Sequence, residues 1–337
     1  MAYNRIVISE FGSAEVLQKV SEKELPRLKK GQVRVKVLTT SACFTDTLIR
    51  RGLYLGVKKK PPFSPGYDLV GIVDELGEEV KNPSIGQKVA DLTVTGAYSE
   101  YICLDANSVV PVPENLDNAE TVSLILSYLT AYQMLHRSAN IKKGQTILIH
   151  ACSGAVGTAM LQLGKLLNLK MYGTASKSKH KFIQEMGAIP IDYKNEDFVE
   201  VIKEKEPDGI DAVFDPMGGD YFPRSLSLLR KQGTLVGFGF QNSASGNGGN
   251  VVLDFFKVKW WNLLPNKPAA NFYVITSMRE RHPDWFKNDL SELFKLLSER
   301  KIKPVIGKIM KLDQAVEAHK LVENFEVKGK IVLSIND

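Results

Sequence analysis

Residues Ile141 to Gly164 read IKKGQTILIHACSGAVGTAMLQLG, and the fold turns on this stretch. Thr146 to His150 is a short apolar run of the kind that forms a buried strand. The loop Ala151-Cys152-Ser153-Gly154-Ala155-Val156-Gly157 comes next. Beyond the loop, apolar residues recur at Val156, Ala159, Met160, Leu163, Leu166 and Leu167, the spacing of one helix face. A strand, a glycine-bearing turn and a helix deliver backbone N–H groups to a pyrophosphate, and the helix N-terminus adds partial positive charge there. The stretch predicts a dinucleotide site.

The full fingerprint is G-x-G-x-x-G. Cys152 stands in the first glycine position, with Gly154 and Gly157 in the other two, so the motif is weak by itself. The residues C-terminal to it strengthen it. Met171 to Thr174, Ile189 to Ile191, Ile210 to Phe214 and Thr234 to Phe238 read as further strands. Between them, Phe182, Ile183 and Met186, then Phe198, Val201 and Ile202, then Leu226 to Leu229 read as helices. Strands and helices alternate as a doubly wound parallel sheet requires. An α/β domain whose turn glycines serve only close packing is the alternative.

Charge argues for the identity of the dinucleotide. NAD sites place an Asp or Glu about twenty residues past the glycines, on the ribose 2′-OH. No acid occurs between Thr158 and Gln184, and the second strand runs into Thr174-Ala175-Ser176-Lys177-Ser178-Lys179. Hydroxyls and ammonium groups suit a 2′-phosphate. NADPH is the expected cofactor.

The chain has 337 residues, enough for two domains with their own cores. Hydrophobic residues make up 44% and charged residues 24%, which excludes a disordered chain. The net charge of +6, from 44 basic and 38 acidic side chains, is too mild and too spread out to indicate nucleic acid. Cys43, Cys103 and Cys152 are too few and scattered for a disulfide framework, which fits a reducing compartment. The opening MAYNRIVISEFGSAEV has no signal-peptide pattern, and no apolar stretch reaches the roughly 18 residues of a membrane span. The expected location is cytoplasmic, with no membrane span.

The first third reads differently. Val33 to Val37 alternates, and Pro65 to Val89 carries closely spaced glycines, as in a small bent β-barrel. Tyr98 to Leu104 and Ser108 to Val112 read as more strands. Gln241 to Asn250 is a polar loop, with the aromatic stretch Phe255 to Tyr273 after it. That stretch is expected to supply a lid and substrate wall or a dimer interface, with core packing as the bland alternative. Adjacent Trp260 and Trp261 cannot both face inward on a strand. The tail carries an amphipathic helix, Leu312 to Val322, and a last strand, Lys330 to Ser334.

Several motifs together resemble the medium-chain dehydrogenase/reductase superfamily, and within it the zinc-independent quinone oxidoreductases, in the zeta-crystallin-like and vesicle amine transport protein homologue-like branch. They are Asp46-Thr47 with Arg50-x-Gly52-Leu53-Tyr54, Pro65-Gly66-x-Asp68-x-x-Gly71-x-Val73, Thr130-Ala131-Tyr132, Asp215-Pro216-x-Gly218-Gly219 and Gly329 to Leu333. The resemblance implies a GroES-like β-barrel substrate domain over residues 1–123, a Rossmann doubly wound parallel-sheet domain over 124–264, and a return to the substrate domain over 265–337. It implies NADPH and a homodimer. It suggests cofactor contacts from Thr130, Gly154, Ala155, Val156 and Gly157. Ser176, Lys177 and Lys179 would take the 2′-phosphate and Tyr193 the adenine. Gly237 and Phe238 would lie toward the nicotinamide, and Lys330 would reach the cofactor from the tail.

Zinc-dependent relatives hold their metal with an early Cys, a His after Pro-Gly and a later Cys. Cys43 fills the first place, Tyr67 replaces the His, and nothing near Ser127 supplies the third. One ligand cannot hold zinc, so no metal is expected. Without a metal to stabilise an alkoxide, the favoured substrates are small hydrophobic quinones or α,β-unsaturated carbonyls, whose charge delocalises onto oxygen. In related enoyl reductases a Tyr at the Gly-x-Tyr position donates a proton. Tyr54 matches that position, and Tyr67 is a second candidate donor. Quinone oxidoreductases commonly carry Asn and Tyr where this chain has Cys43 and Leu48. These two residues, with Trp260, are expected to line an apolar substrate pocket. A cofactor-bound binding or scaffold protein without turnover is the alternative.

Overall fold

The computed structural model describes all residues except 55, 245–255, 257, 259, 263–267 and 336–337. The chain forms two compact units, Met1–Ser127 with Leu290–Asp337, and Tyr128–Asp289. The first expected boundary, 123/124, falls in the helical stretch where the units divide. The second, 264/265, lies outside the described residues. The strand beyond it still belongs to the second unit, so the return to the first unit comes at Leu290.

The first unit is built on β strands. β1 (Tyr3–Ile8) and β2 (Leu17–Glu22) make an antiparallel pair. The main sheet contains β3 (Gln32–Ala42), β4 (Leu69–Leu76), β5 (Lys88–Asp91), β6 (Tyr101–Asp105) and β7 (Val110–Pro111). β14 (Ile306–Lys311) and β15 (Lys330–Ser334) complete it. Its order is β14-β15-β3-β4-β5-β7, with β6 also on β3. Val33, Val35 and Val37 alternate into the core with Leu69, Val73 and Val89, while the intervening Arg34 and Lys36 stay outside. Register shifts along the β3–β4 pair bend the long strand, as bulges do. α1 (Phe44–Arg50) follows β3, and α2 (Asn118–Ser123) comes late in the unit. β14 was not foreseen; four of its six residues are exposed, so it carries no readable alternation.

The second unit is a parallel six-stranded sheet with helices α3 (Leu129–Gln133), α4 (Ala155–Leu166), α5 (His180–Glu185), α6 (Phe198–Lys205) and α7 (Tyr221–Leu226). The strands are β8 (Thr146–Ile149), β9 (Lys170–Ala175), β10 (Ala188–Asp192), β11 (Ile210–Asp215), β12 (Leu229–Gly237) and β13 (Ala269–Phe272). Their order is β10-β9-β8-β11-β12-β13, which reverses direction between β8 and β11. A doubly wound sheet binds its ligand at the carboxyl ends of the strands flanking such a reversal. The core gathers Leu148, Tyr172, Ile191, Phe198, Val213, Phe222 and Leu235.

Two expectations need correction. The helix placed at Leu226 to Leu229 ends at Leu226, and Leu229 already begins β12. The aromatic stretch supplies β13 as a sixth strand, whereas Trp260 and Trp261 have helical backbone. Trp261 packs on the core and Trp260 is 64% exposed.

Candidate functional site

The glycine turn joins β8 to α4. Ala151 takes a φ of 52°, in the left-handed region. Thr174 of β9 holds this turn from both sides. Its carbonyl accepts the Cys152 N–H at 3.1 Å, and its hydroxyl accepts the Ala151 N–H at 3.3 Å. Cys152 is fully buried and takes the first glycine's place because Gly173, on β9, leaves it room. A Cβ on Gly173 would lie 2.5 Å from the Cys152 sulfur. A Cβ on Gly157 would overlap the Cys152 carbonyl, so that glycine is required where α4 meets the turn.

Gly154 is the N-cap of α4 in extended conformation, no side chain caps the helix, and its first turn has no acid. The N–H groups of Ala155, Val156 and Gly157 have no partner within a helix. Ala155 and Val156 are partly exposed. This is an anion-binding geometry, and a pyrophosphate fits it.

A buried histidine stabilises the turn. Ser225 donates to the Asp215 carboxylate at 2.9 Å, so its oxygen accepts from His150 Nε2 at 3.1 Å. His150 Nδ1 then accepts the Thr174 hydroxyl hydrogen at 3.1 Å. Burial, and then the Arg224 charge, lower the His150 pKa to about 3 and keep the ring neutral.

β9 and β10 pair in parallel up to Ala175 and Asp192, so Ser176 and Tyr193 come just after the ends of neighbouring strands. Ser176 caps the turn Lys177–Lys179, and its Oγ lies 3.3 Å from the Ser178 hydroxyl. Lys177 and Tyr193 are exposed and Lys179 is half-buried. At the other end of the sheet, Gly237 closes β12 and its carbonyl accepts the Tyr273 N–H at 2.8 Å. Phe238 is next, its N–H bonded to the Asp215 carbonyl at 3.0 Å. Thr130, on α3, is 6% exposed.

The first unit gathers a separate polar cluster. Cys43 caps α1, and its N–H and thiol both donate to Asp46 Oδ2, at 3.1 and 2.9 Å. The Gly66 N–H donates to the other Asp46 oxygen at 3.2 Å. Burial pushes the Asp46 carboxyl up to about 7 despite the hydrogen bonds from Cys43. Burial, then the Asp46 charge, raise the Cys43 thiol well above its ordinary range, which makes it inert. Lys330 is 3% exposed, with its ammonium 3.3 Å from Asp68 and 3.5 Å from the Ser127 hydroxyl. Burial pulls its pKa down, but Asp68, Cys43 and Asp46 outweigh burial and raise it. The Ser41 hydroxyl donates to the other Asp68 oxygen at 2.5 Å. Lys330, expected to reach the cofactor, is therefore engaged within its own unit.

Tyr54 and Tyr67, the two candidate donors, meet with their hydroxyl oxygens 2.7 Å apart and their rings edge-on. Tyr67 is 1% exposed and Tyr54 half-buried. Burial, then its neighbour Tyr54, raise the Tyr67 pKa, so the phenol stays protonated. Leu48 is half-buried on α1. α1 is fixed by Arg50, which is buried and donates to the Gly12 carbonyl, to His319 Nδ1 and to Glu323. Among the described residues no group of three or more His, Cys, Asp or Glu could hold a metal ion. No helix among them is long and apolar enough to cross a membrane.

Sequence reasoning named the two tyrosines but missed their contact. It quoted Asp46 and Asp68 only as motif letters, and it missed His150 and Ser225. The Asp68–Lys330 pair joins residues 262 positions apart, a distance no local pattern spans. The His150 linkage likewise needs three elements to meet.

Residues 29–114 match the family described as alcohol dehydrogenase GroES-like domain, and residues 186–333 that described as zinc-binding dehydrogenase. The chain is 30% identical to the synaptic vesicle membrane protein VAT-1 homolog of Danio rerio, over 98% of this chain and 70% of the relative. The solved quinone oxidoreductase of Coxiella burnetii is 31% identical, with a TM-score of 0.83 over 100% of both chains. A mycobacterial protein solved in complex with NADPH is 27% identical, with a TM-score of 0.86 over 98% of this chain and 99% of that one.

Proposed function

This chain belongs to the medium-chain dehydrogenase/reductase superfamily, among the VAT-1 homologues and zinc-independent quinone oxidoreductases, and from that premise we propose an NADPH-dependent reductase of hydrophobic quinones or α,β-unsaturated carbonyls. The family supports a nicotinamide-dependent oxidoreductase. One observation points to NADPH. The uncapped, acid-free N-terminus of α4 follows β8, and the neighbouring strand β9 is followed directly by Ser176, Lys177 and Lys179. A pyrophosphate suits the first feature and a 2′-phosphate the second. The NADPH complex of the mycobacterial relative supports the choice.

NADPH, when bound, supplies a hydride. The chain's part is to bind the nucleotide and to stabilise the negative charge that collects on the substrate oxygen. Tyr67 is enclosed, and we assign its hydrogen to the Tyr54 oxygen. We assign to Tyr54 the hydrogen bond to the substrate carbonyl. One such donor is worth roughly 3 kcal/mol in a site of low polarity. Burial and the contact with Tyr54 keep the Tyr67 phenol protonated, Tyr54 acts as a hydrogen-bond donor to the substrate oxygen, and the proton that completes the reduction comes from solvent. The Cys43 thiol is turned to Asp46, so it adds no donor to the pocket.

The second reading, a nucleotide-bound scaffold, draws on that same loss of polar groups. NADPH oxidation against a panel of quinones and enones separates the two. Turnover that falls roughly 100-fold in Tyr54→Phe supports the reductase. Tight NADPH binding with no turnover on any member of the panel selects the scaffold. Full turnover in Tyr54→Phe removes the tyrosine's role.

A further inference from the structure

Two loops leave the parallel sheet at the strand ends that flank its reversal, and one buried hydrogen-bond chain runs between them. The glycine turn follows β8, and the loop 216–220 follows β11. At this second loop, one Asp215 oxygen accepts the N–H groups of Met217 and Gly218, at 2.7 and 3.3 Å. The other oxygen accepts the Ser225 hydroxyl, and the chain continues through His150 and the Thr174 hydroxyl to the Ala151 N–H. Asp215, Ser225, His150 and Thr174 are each at most 3% exposed, so water offers them no alternative partners.

The chain has one direction. A carboxylate only accepts, so Ser225 donates to it and presents lone pairs to His150. The ring then carries its hydrogen on Nε2 and a lone pair on Nδ1. Thr174 gives its hydrogen to Nδ1, and its own lone pairs face the Ala151 N–H. Each orientation depends on the one before it.

The backbone at both ends needs such support. Ala151 has a φ of 52°, a conformation that a Cβ disfavours and that persists where the surroundings fix it. In the other loop Gly218 and Gly219 take φ of 70° and 59°. A doubly wound sheet takes its ligand in the crevice between the strand ends at such a reversal. Both sides of that crevice hang on the same chain.

Resting on the nucleotide reading above, we propose that Asp215, Ser225 and His150 are positioning residues for nucleotide binding, which lock the glycine turn to the loop after β11 so that both are set before the dinucleotide arrives. All three are enclosed, so they act through Thr174 and through the loop backbone. The consequence is a coupling. A change at Ser225 is felt at the glycine turn, although His150 and Thr174 stand between them, and losses along the chain do not add.

The test combines calorimetric NADPH binding to the full chain with heteronuclear NMR of the His150 ring. The wild-type ring is expected to carry its hydrogen on Nε2. Thr174→Val removes the last link and is expected to weaken NADPH binding by about tenfold, and Ser225→Ala by about fivefold. Thr174→Ser restores wild-type affinity, which a role in packing alone would not require. The double variant Thr174→Val with Ser225→Ala binds within about twofold of Thr174→Val, because the chain is already broken. Affinities within about twofold of wild type in both single variants, whatever their stability to urea, overturn this assignment alone. Losses that multiply in the double variant do the same. So does a wild-type ring with its hydrogen on Nδ1, a result that needs no variant to fold. Wild-type protein that does not bind NADPH overturns the nucleotide reading and this inference with it.

Discussion

Cys152 in the glycine turn and Gly173 on β9 are a matched pair, and the size of one sets the size of the other. A methyl group on Gly173 would meet the Cys152 sulfur at 2.5 Å. Gly173→Ala is expected to cost about 1–3 kcal/mol of stability. The double variant with Cys152→Ala should recover most of it, measured by urea unfolding; equal losses in both variants would separate the two residues. The irregular fingerprint becomes intelligible here: Cys152 in its first position was illegible because the compensating glycine lies twenty-one residues on, in β9. Asp46 offers a second test at this scale. Its pKa of about 7 in the folded chain lies above the value near 3.9 of an unfolded Asp. By linkage, its contribution is fully present below about pH 4 and is lost as pH rises through about 7. Wild-type stability is therefore expected to fall relative to Asp46→Asn between about pH 4 and about pH 8. A pH-independent difference between the two would contradict it.

α4 carries the nucleotide reading at the scale of an element. Its N-terminus is bare, and Gly157 lets its first turn sit against the Cys152 carbonyl. Gly157→Ala is expected to push α4 off the turn and weaken NADPH binding by at least about tenfold, with the far-ultraviolet circular dichroism unchanged. Unaltered affinity would show that the turn does not hold the phosphates. Elements with strong periodicity were legible: β8 to β11 and α4 to α6 lie where the apolar spacing put them, within a few residues. β13 and β14 were not. β13 is four residues long with one buried side chain, and β14 buries one of six. Strands at the rim of a sheet are half solvated, so burial writes little pattern into them. The helical backbone at Trp260 and Trp261 was illegible for another reason, since two adjacent aromatics fit either period.

At the scale of the whole molecule, the sequence showed the α/β class, the GroES-like and Rossmann parts and the family, because motifs spread over the full chain agree. It did not show the buried chains that join distant residues, from Asp68 to Lys330 or from His150 to Asp215. Each of those needs the tertiary fold to bring its members together. Charge summed over the molecule says little about function, whereas charge at one strand end is what the proposed choice of NADPH rests on. Reductase and scaffold alike depend on a 2′-phosphorylated dinucleotide seated at the α4 N-terminus, with Ser176, Lys177 and Lys179 around its extra phosphate. Parallel calorimetric titration of the purified chain with NADPH and NADH measures this. NADPH is expected to bind at least about tenfold tighter, a difference of about 1.4 kcal/mol. Equal affinities, or a preference for NADH, would contradict it.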